Sequence, residues 1–326
     1  MNRRTAIRRL ATFFLTTTSL AEAQQPGKIY RIGFLSPTSA SSNVDRVEAL
    51  RAGLRDLGYV EGKNLIIEFR WAEGKFDRLP ELAAELVRLN VDVIVTVSTP
   101  GIRAAKNATT TIPIVMATSG DPVGFGFVAS LARPGGNITG SSNFSPELSA
   151  KRLELLKEVV PRIRRVAVLF NPDNSINARN LPEMEQTAKA LKMLLQRFEV
   201  RKADEFKNAF SAMTKQRVDA VALPDDDFVS VNGSRIAELA AKQRLPSVGR
   251  KEFAEDGGLI GYGVNFLDLY RRAAIFVDKI LKGRKPADLP VEQPMKFEFV
   301  ANLKTAKQIG VTIPQWTLMK ADKVIK

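Results

Sequence analysis

Four apolar runs that read as β-strands each stop at a capping residue followed by proline. They end at Ser36-Pro37, Ser98-Thr99-Pro100, Asp121-Pro122 and Asn171-Pro172. Ser, Thr, Asp and Asn cap helix N-termini, and proline fits the first helical position, where no N–H is needed. At the carboxyl ends of strands in an open parallel sheet, such turns lie where ligands bind. Helix N-termini there offer free N–H groups and partial positive charge to an anion. The pattern predicts a site for a small polar molecule.

Each candidate residue has a chemical role and a purely structural alternative. Ser98 and Thr99, with the N–H groups beyond them, form a carboxylate cradle. Ser36 donates to a ligand or caps its own turn. Ser119 and Asp121 lie in a Ser-Gly-Asp-Pro turn, where Asp121 meets an ammonium group or caps a helix starting at Pro122. Asn171 faces the site from the second half of the chain. Asp226, within Asp225-Asp226-Asp227, holds a ligand ammonium or is a solvated turn carboxylate. Tyr262 stacks on a ligand ring or packs in a strand, and Asn265 follows it where the chain recrosses.

The absences narrow the chemistry. The sequence contains no histidine and no cysteine. That removes the commonest general base and metal ligand, and it excludes thiol nucleophiles, disulfides and zinc–thiolate sites. There is no P-loop, no Gly-x-Gly-x-x-Gly after a strand and no Gly-x-Ser-x-Gly elbow. The Asp225–Asp227 run lacks the spacing of a calcium loop. The chain therefore reads as a binding protein, not an enzyme, with no cofactor and no metal. Its formal net charge is +14, but the basic residues are dispersed, as on a solvated surface.

The elements that must position these residues alternate along the chain. Strands are expected at 30–35, 64–70, 93–97, 113–117 and 138–141, with helices at 43–58, 77–89, 100–108 and 123–132. The second half repeats the scheme: helices at 146–160, 176–196, 205–215 and 231–244, and strands at 165–170, 197–202, 218–223 and 246–248. The tail adds a strand at 259–262, a helix at 266–282, a strand at 295–300 and helices at 303–309 and 315–323. Before all of this, residues 1–23 read as a signal peptide cleaved after Ala23, with a basic n-region, an apolar and Thr-rich stretch and the Ala21-Glu-Ala23 rule. Residues 24–27 read as a linker. An exported chain without cysteines suits a bacterial periplasm.

Tyr30-Arg-Ile-Gly-Phe-Leu35, Gly53-Leu-Arg-Asp-Leu-Gly-Tyr-Val-Glu-Gly-Lys-Asn64 and Asp121-Pro-Val-Gly124 together resemble the ABC-transporter substrate-binding proteins, in the tryptophan/tyrosine-binding-like branch of the type I periplasmic-binding-protein fold. The runs Arg271–Pro294 and Asn302–Lys307 are similar to a proteobacterial subgroup of the same family. The resemblance implies an α/β protein of two doubly wound parallel-sheet lobes joined by three crossovers. Lobe one would be 28–142 plus 264–284, and lobe two 143–263 plus 285–326. A small amino-acid-like or carboxylate-bearing ligand would lie in the interlobe cleft and be trapped by hinge closure. The protein would be a monomer whose closed form docks on an ABC permease at the membrane surface, with no nucleic acid as partner. The family often carries an Asp-Asn-Thr stretch near residue 226. Here Asp226 matches its Asp, while Asp227 and Phe228 replace the other two, and a third nearby carboxylate favours an amine-bearing ligand. A periplasmic sensing module for a receptor and a carboxylate-dependent enzyme are the alternative readings. Only the export signal and linker precede Tyr30, which leaves no room for the helix-turn-helix of a DNA-binding regulator.

Overall fold

The computed structural model describes residues 28–326, so the expected signal peptide and linker lie outside the described residues. Two sheets organise the chain. The first has strands β1 (Tyr30–Ser36), β2 (Leu65–Trp71), β3 (Val93–Val97), β4 (Ile114–Ser119) and β5 (Ile138–Ser142), in the order β2-β1-β3-β4-β5. All its pairings are parallel. Every residue of β3 and β4 is buried, the expected result for strands covered on both faces. Helices α1 (Val44–Asp56), α2 (Leu79–Arg88) and α3 (Ser98–Ala108) cover this sheet.

The second sheet contains β6 (Arg165–Phe170), β7 (Leu194–Glu199), β8 (Ala220–Ala222), β9 (Ser247–Gly249), β10 (Ile260–Gly263), β11 (Glu298–Asn302) and β12 (Lys323–Ile325). Its order is β12-β11-β10-β9-β8-β6-β7, parallel except where β11 meets β10. Around it lie α4 (Ser145–Val159), α5 (Asn177–Ala190), α6 (Phe206–Lys215), α7 (Asp227–Val231), α8 (Gly233–Lys242) and α9 (Lys251–Glu255). Then α10 (Phe266–Leu281) returns to the first sheet, while α11 (Leu303–Ile309) and α12 (Gln315–Leu318) stay with the second. The molecule thus has the expected two α/β lobes.

The chain passes between the lobes three times, at 143–144, 264–265 and 293–297. Each passage contributes to one small apolar cluster. Phe144, Val264, Phe266 and Phe297 meet there with Tyr262, Leu148 and Leu269. The Phe297 ring centroid lies 6.3 Å from Phe144 and 6.1 Å from Tyr262. Phe144 holds a left-handed conformation at φ 54°, uncommon for a bulky residue.

Several expectations are corrected. Residues 285–292, assigned to lobe two from the sequence, pack on the first sheet. Leu289 and Val291 enter its cores, and the Glu292 N–H donates to the Gly140 carbonyl at 2.9 Å. The expected helix at 123–132 is a run of turns, interrupted by Gly126 at φ 65°. The helix expected to reach 196 ends at Ala190. Lys192 turns left-handed at φ 54°, and β7 starts three residues earlier than the sequence suggests. The expected helix at 315–323 stops at Leu318, and the polar terminus adds β12 as an edge strand.

Gly53 lets α1 approach α10, the helix that ties the second passage to lobe one. A Cβ there would sit 2.5 Å from the Arg271 carbonyl oxygen and 2.9 Å from the Ala274 Cβ. Gly53→Ala normally gains helix propensity, about 1 kcal/mol. Here the backbone clash reverses the sign, and we expect a net loss of roughly 1–3 kcal/mol. Denaturant unfolding checks it; a stabilised variant would refute the close packing.

Candidate functional site

Between the lobes lies a buried charge cluster built from residues far apart in sequence. Asp225 follows β8, Arg250 follows β9, and Arg152 projects from α4. Arg152 is fully buried, and Asp225 and Arg250 are 3% and 6% exposed. Asp225 Oδ1 accepts from Arg250 Nε, and from Arg152 Nη2 at 3.3 Å. Its Oδ2 accepts from Asn143 Nδ2 at 2.6 Å, and its own N–H donates to Ser149 Oγ at 3.1 Å. Arg152 Nε donates to the Tyr262 carbonyl at 2.8 Å. Arg250 Nη2 donates to Asp227 Oδ1 at 3.0 Å, and the Arg250 guanidinium lies 4.6 Å from the centre of the Phe266 ring. Burial alone would raise the Asp225 carboxyl. Arg250 and Arg152 together outweigh it and hold Asp225 below its ordinary value. Burial likewise works against the Arg250 cation, but Asp225 and Asp227 raise its pKa above the usual one.

Lobe one presents the opposite wall. β3 runs directly into α3, so Ser98 and Thr99 occupy the helix's first turn. Ser98 takes φ 66°, a left-handed conformation that costs a non-glycine residue of order 1–3 kcal/mol. Thr99 is 1% exposed, and its Oγ1 has no hydrogen-bond partner among the described residues. Across from it, Arg250 Nη1 is also buried and unpartnered. Ser98, Thr99, Thr118 and Gly120 of lobe one, Asn143 and Ser145 at the first passage, and Ile176, Asp225, Asp227 and Arg250 of lobe two line one cavity. It holds about 20 Å³, room for a single water-sized group. Gly120 permits this closeness: a Cβ there would lie 2.5 Å from Ile176 Cδ1. At the rim, Arg179 of α5 reaches across, donating to the Gly124 carbonyl at 2.5 Å and standing 3.6 Å from Asp121.

The structure separates the residues singled out from sequence. Of the four strand-ending turns, only Ser98-Thr99 opens directly into a helix, and both residues line the cavity. Ser119 is fully buried at its margin, with Oγ unpartnered. Ser36 points elsewhere, its Oγ 3.1 Å from Thr38 Oγ1. Asp121 caps a turn, not a helix, through the Gly124 N–H at 2.7 Å. Asp226 is corrected from ligand group to structural staple. It is fully buried and accepts from the Asn171 N–H at 2.9 Å, Asn177 Nδ2 at 2.6 Å and the Phe228 N–H at 2.9 Å, so both oxygens are engaged. Asn171 belongs to that same staple, its Oδ1 accepting from the Asp173 N–H. Tyr262 stacks on Phe297 at the interlobe passages, away from the cavity. Asn265 caps α10, accepting from the Asp268 N–H at 3.2 Å, and lines a different groove.

The sequence reading singles out none of Asn143, Arg152, Ile176 and Arg250, and notes Asp227 only as a carboxylate beside Asp226. Arg250 had a usable signal: it follows the buried strand Ser247-Val-Gly249 at its carboxyl end, where the switch-point rule already places ligand groups. Arg152 had none, because a helix arginine reads as a surface residue until its buried partner is known.

Removing the carboxylate from this cluster leaves two buried cations facing each other. Asp225→Asn is expected to cost about 3–5 kcal/mol of stability at pH 7. Because the folded Asp225 is held low, its contribution is present above the unfolded value of roughly 3.9 and lost as pH falls through the lower folded value. Thermal unfolding from pH 7 down to 2 tests both: the wild type should lose this increment below about pH 4, and the variant should lack that loss. Equal stability at pH 7 would contradict the assignment.

Known proteins resemble this one in both sequence and fold. The sequence matches the family described as ABC transporter substrate binding protein over residues 31–325. It is 28% identical over 260 residues to a tyrosine-binding protein of Clostridioides difficile, covering 79% of this chain and 74% of that one. A conserved domain protein from Vibrio cholerae superposes with a TM-score of 0.85 at 28% identity, over 91% of this chain and 100% of the other. An ABC domain from Streptococcus pneumoniae in complex with L-Trp gives 0.81 at 28% identity, over 90% and 100%. One of these relatives is named for binding tyrosine and one is solved with L-Trp, and the two structural matches span about nine-tenths of the chain. On sequence and on fold, the chain belongs to the ABC transporter substrate-binding protein family.

Proposed function

We propose that this protein is the periplasmic receptor of an ABC importer and that it carries a free amino acid, or a similar carboxylate-bearing solute, between its lobes. One observation carries the reading. Thr99 Oγ1 and Arg250 Nη1, from opposite lobes, are both buried and unpartnered at the same cavity. Buried donors without partners are rare in native proteins and mark places where another molecule completes the hydrogen bonding. Both suit a carboxylate: Thr99 sits at the start of α3, whose first N–H groups favour an anion, and Arg250 adds a fixed charge.

Asp227 supplies the complement. It lines the cavity, and only its Oδ1 is taken, by Arg250. A ligand ammonium beside the other oxygen would find a carboxylate already oriented. The site's charges balance in sign, as a zwitterion requires. The names of the relatives, one tyrosine-binding and one holding L-Trp, support an amino acid as the ligand class.

Such a ligand exceeds the present cavity, so it enters when the lobes part and bridges them when they close. It favours closure only because it touches both lobes at once. The closed form is then the one a permease recognises. Among the described residues no helix is long and apolar enough to cross a membrane.

Titration calorimetry with L-tryptophan, L-tyrosine and other free amino acids tests the reading, beside the decarboxylated amine and the N-acetyl form of any that binds. Binding should need both the free carboxylate and the free ammonium. If the amine or the acetylated compound binds as well as the parent, the assignment of charges is wrong. Asp227→Asn should weaken binding by roughly 1.5–3 kcal/mol, the range for a hydrogen bond to a charged group. Thr99→Val, nearly isosteric, should weaken it by roughly 0.5–1.5 kcal/mol. Asp226→Asn should leave affinity unchanged while lowering stability.

A further inference from the structure

We infer that Arg179 is a clasp across the mouth of the cleft. It reaches from lobe two onto a turn of lobe one that is shaped to receive a guanidinium, and it holds the lobes together. The inference rests on the hinge opening proposed above but not on the identity of the ligand, because Arg179 and the turn it grips stand outside the polar cavity. Among the described residues, Arg179–Asp121 is the one ion pair that joins the two lobes.

The receiving turn is Asp121–Phe127, and three of its groups meet the guanidinium. The Gly124 carbonyl accepts from Arg179 Nη2 at 2.5 Å, Asp121 Oδ2 stands 3.6 Å from Nε, and Arg179 Cζ lies 5.7 Å from the centre of the Phe125 ring. These are the contacts an arginine makes best: its fork donates in plane, and its flat face stacks on an aromatic ring. The turn takes its shape from lobe one. Asp121 Oδ1 accepts from the Gly124 N–H at 2.7 Å, and the Phe127 N–H donates to the Pro122 carbonyl at 2.8 Å. Phe127 and Val128 are buried in a core of the first sheet. From α3, Lys106 donates to the Gly126 carbonyl, and the Arg103 guanidinium lies 5.4 and 5.5 Å from the centres of the Phe125 and Phe127 rings. The receptor for Arg179 is therefore built without it.

The cation is positioned just as firmly by the start of α5. Asn177 Nδ2 donates to Asp226 Oδ2 at 2.6 Å and to the Asn171 carbonyl at 2.8 Å, which fixes the first turn of the helix. The Arg179 N–H donates at 2.9 Å to the carbonyl of Ile176, a residue that lines the polar cavity. On lobe one Gly120 lines the same cavity, and Asp121 follows it. The tight contact of Gly120 with Ile176 thus continues outward into the clasp. A group that touches both lobes favours closure. Because this one belongs to the protein, its contribution does not wait for a ligand. The Arg179 side chain is 49% exposed, so its pull is modest and weakened by salt.

The chain has no native cysteine, so spin labels attach only where cysteines are introduced. Asn107→Cys in α3 and Lys189→Cys in α5 place one label on each lobe at exposed positions. Pulsed electron resonance on the ligand-free, full-length mature protein at low salt then reads open and closed populations from the distance between labels. In this background Arg179→Gln should raise the open-to-closed ratio at least about fivefold. Arg179→Lys and Asp121→Asn should fall between it and wild type. Lysine keeps the charge without the fork, and asparagine still accepts the Gly124 N–H without the charge. Raising NaCl to about 0.5 M should open wild type and leave Arg179→Gln unchanged. Thermal midpoints should agree within about 2 °C, which separates loss of the clasp from loss of structure. Equal open fractions in wild type and Arg179→Gln would overturn the inference and leave hinge opening standing. A single short distance in all four proteins would refute hinge opening, and this inference with it.

Discussion

Everything about the cleft depends on Asp225 being ionised between two arginines. A lone carboxylate at this depth would take up a proton, and a lone arginine would be strongly unfavourable. Together, with Asn143 on the second oxygen and the Ser149 hydroxyl accepting from the backbone, the groups satisfy most of one another's needs. Buried ion pairs add little net stability over apolar packing, but they fix geometry. The geometry fixed here is that of Arg250. Its Nε is held by Asp225, one terminal nitrogen by Asp227 and its flat face by Phe266, which leaves the other terminal nitrogen aimed and unused.

The same logic explains the division of labour among three consecutive aspartates. Asp225 lines the cavity with both oxygens committed to Arg250, Arg152 and Asn143, Asp226 pins the Asn171 turn and the start of α7, and Asp227 lines the cavity with one oxygen bound by Arg250. They follow a short, wholly buried strand, so the backbone direction leaving β8 decides which carboxylate turns inward. No property of the residue type distinguishes them.

That limit marks what the sequence made legible. The lobes, most strands and the helix start at Ser98-Thr99 followed from apolar runs ending at capping residues, because local hydrogen bonding and burial dictate both. The individual roles within Asp225–Asp227 did not, since they are set by partners at positions 143, 152, 171, 177 and 250. The elements that went wrong share a cause. Residues 123–132 carry apolar spacing but also Gly126, and β12 is a polar edge strand whose existence depends on β11 beside it. The passage of 285–292 was misassigned because Pro286 and Pro290 signal an extended connector without saying which core receives Leu289 and Val291.

The aromatic cluster at the three interlobe passages has a mechanical meaning. Because Phe144, Phe266 and Phe297 share one packed contact, no single connecting strand can flex while the others stay still. Twisting of one half against the other would tear that contact apart, whereas a simple bend can leave it intact. The opening proposed above would then follow one axis, like a book bound at the spine, and the two covers would meet again with the same pages facing.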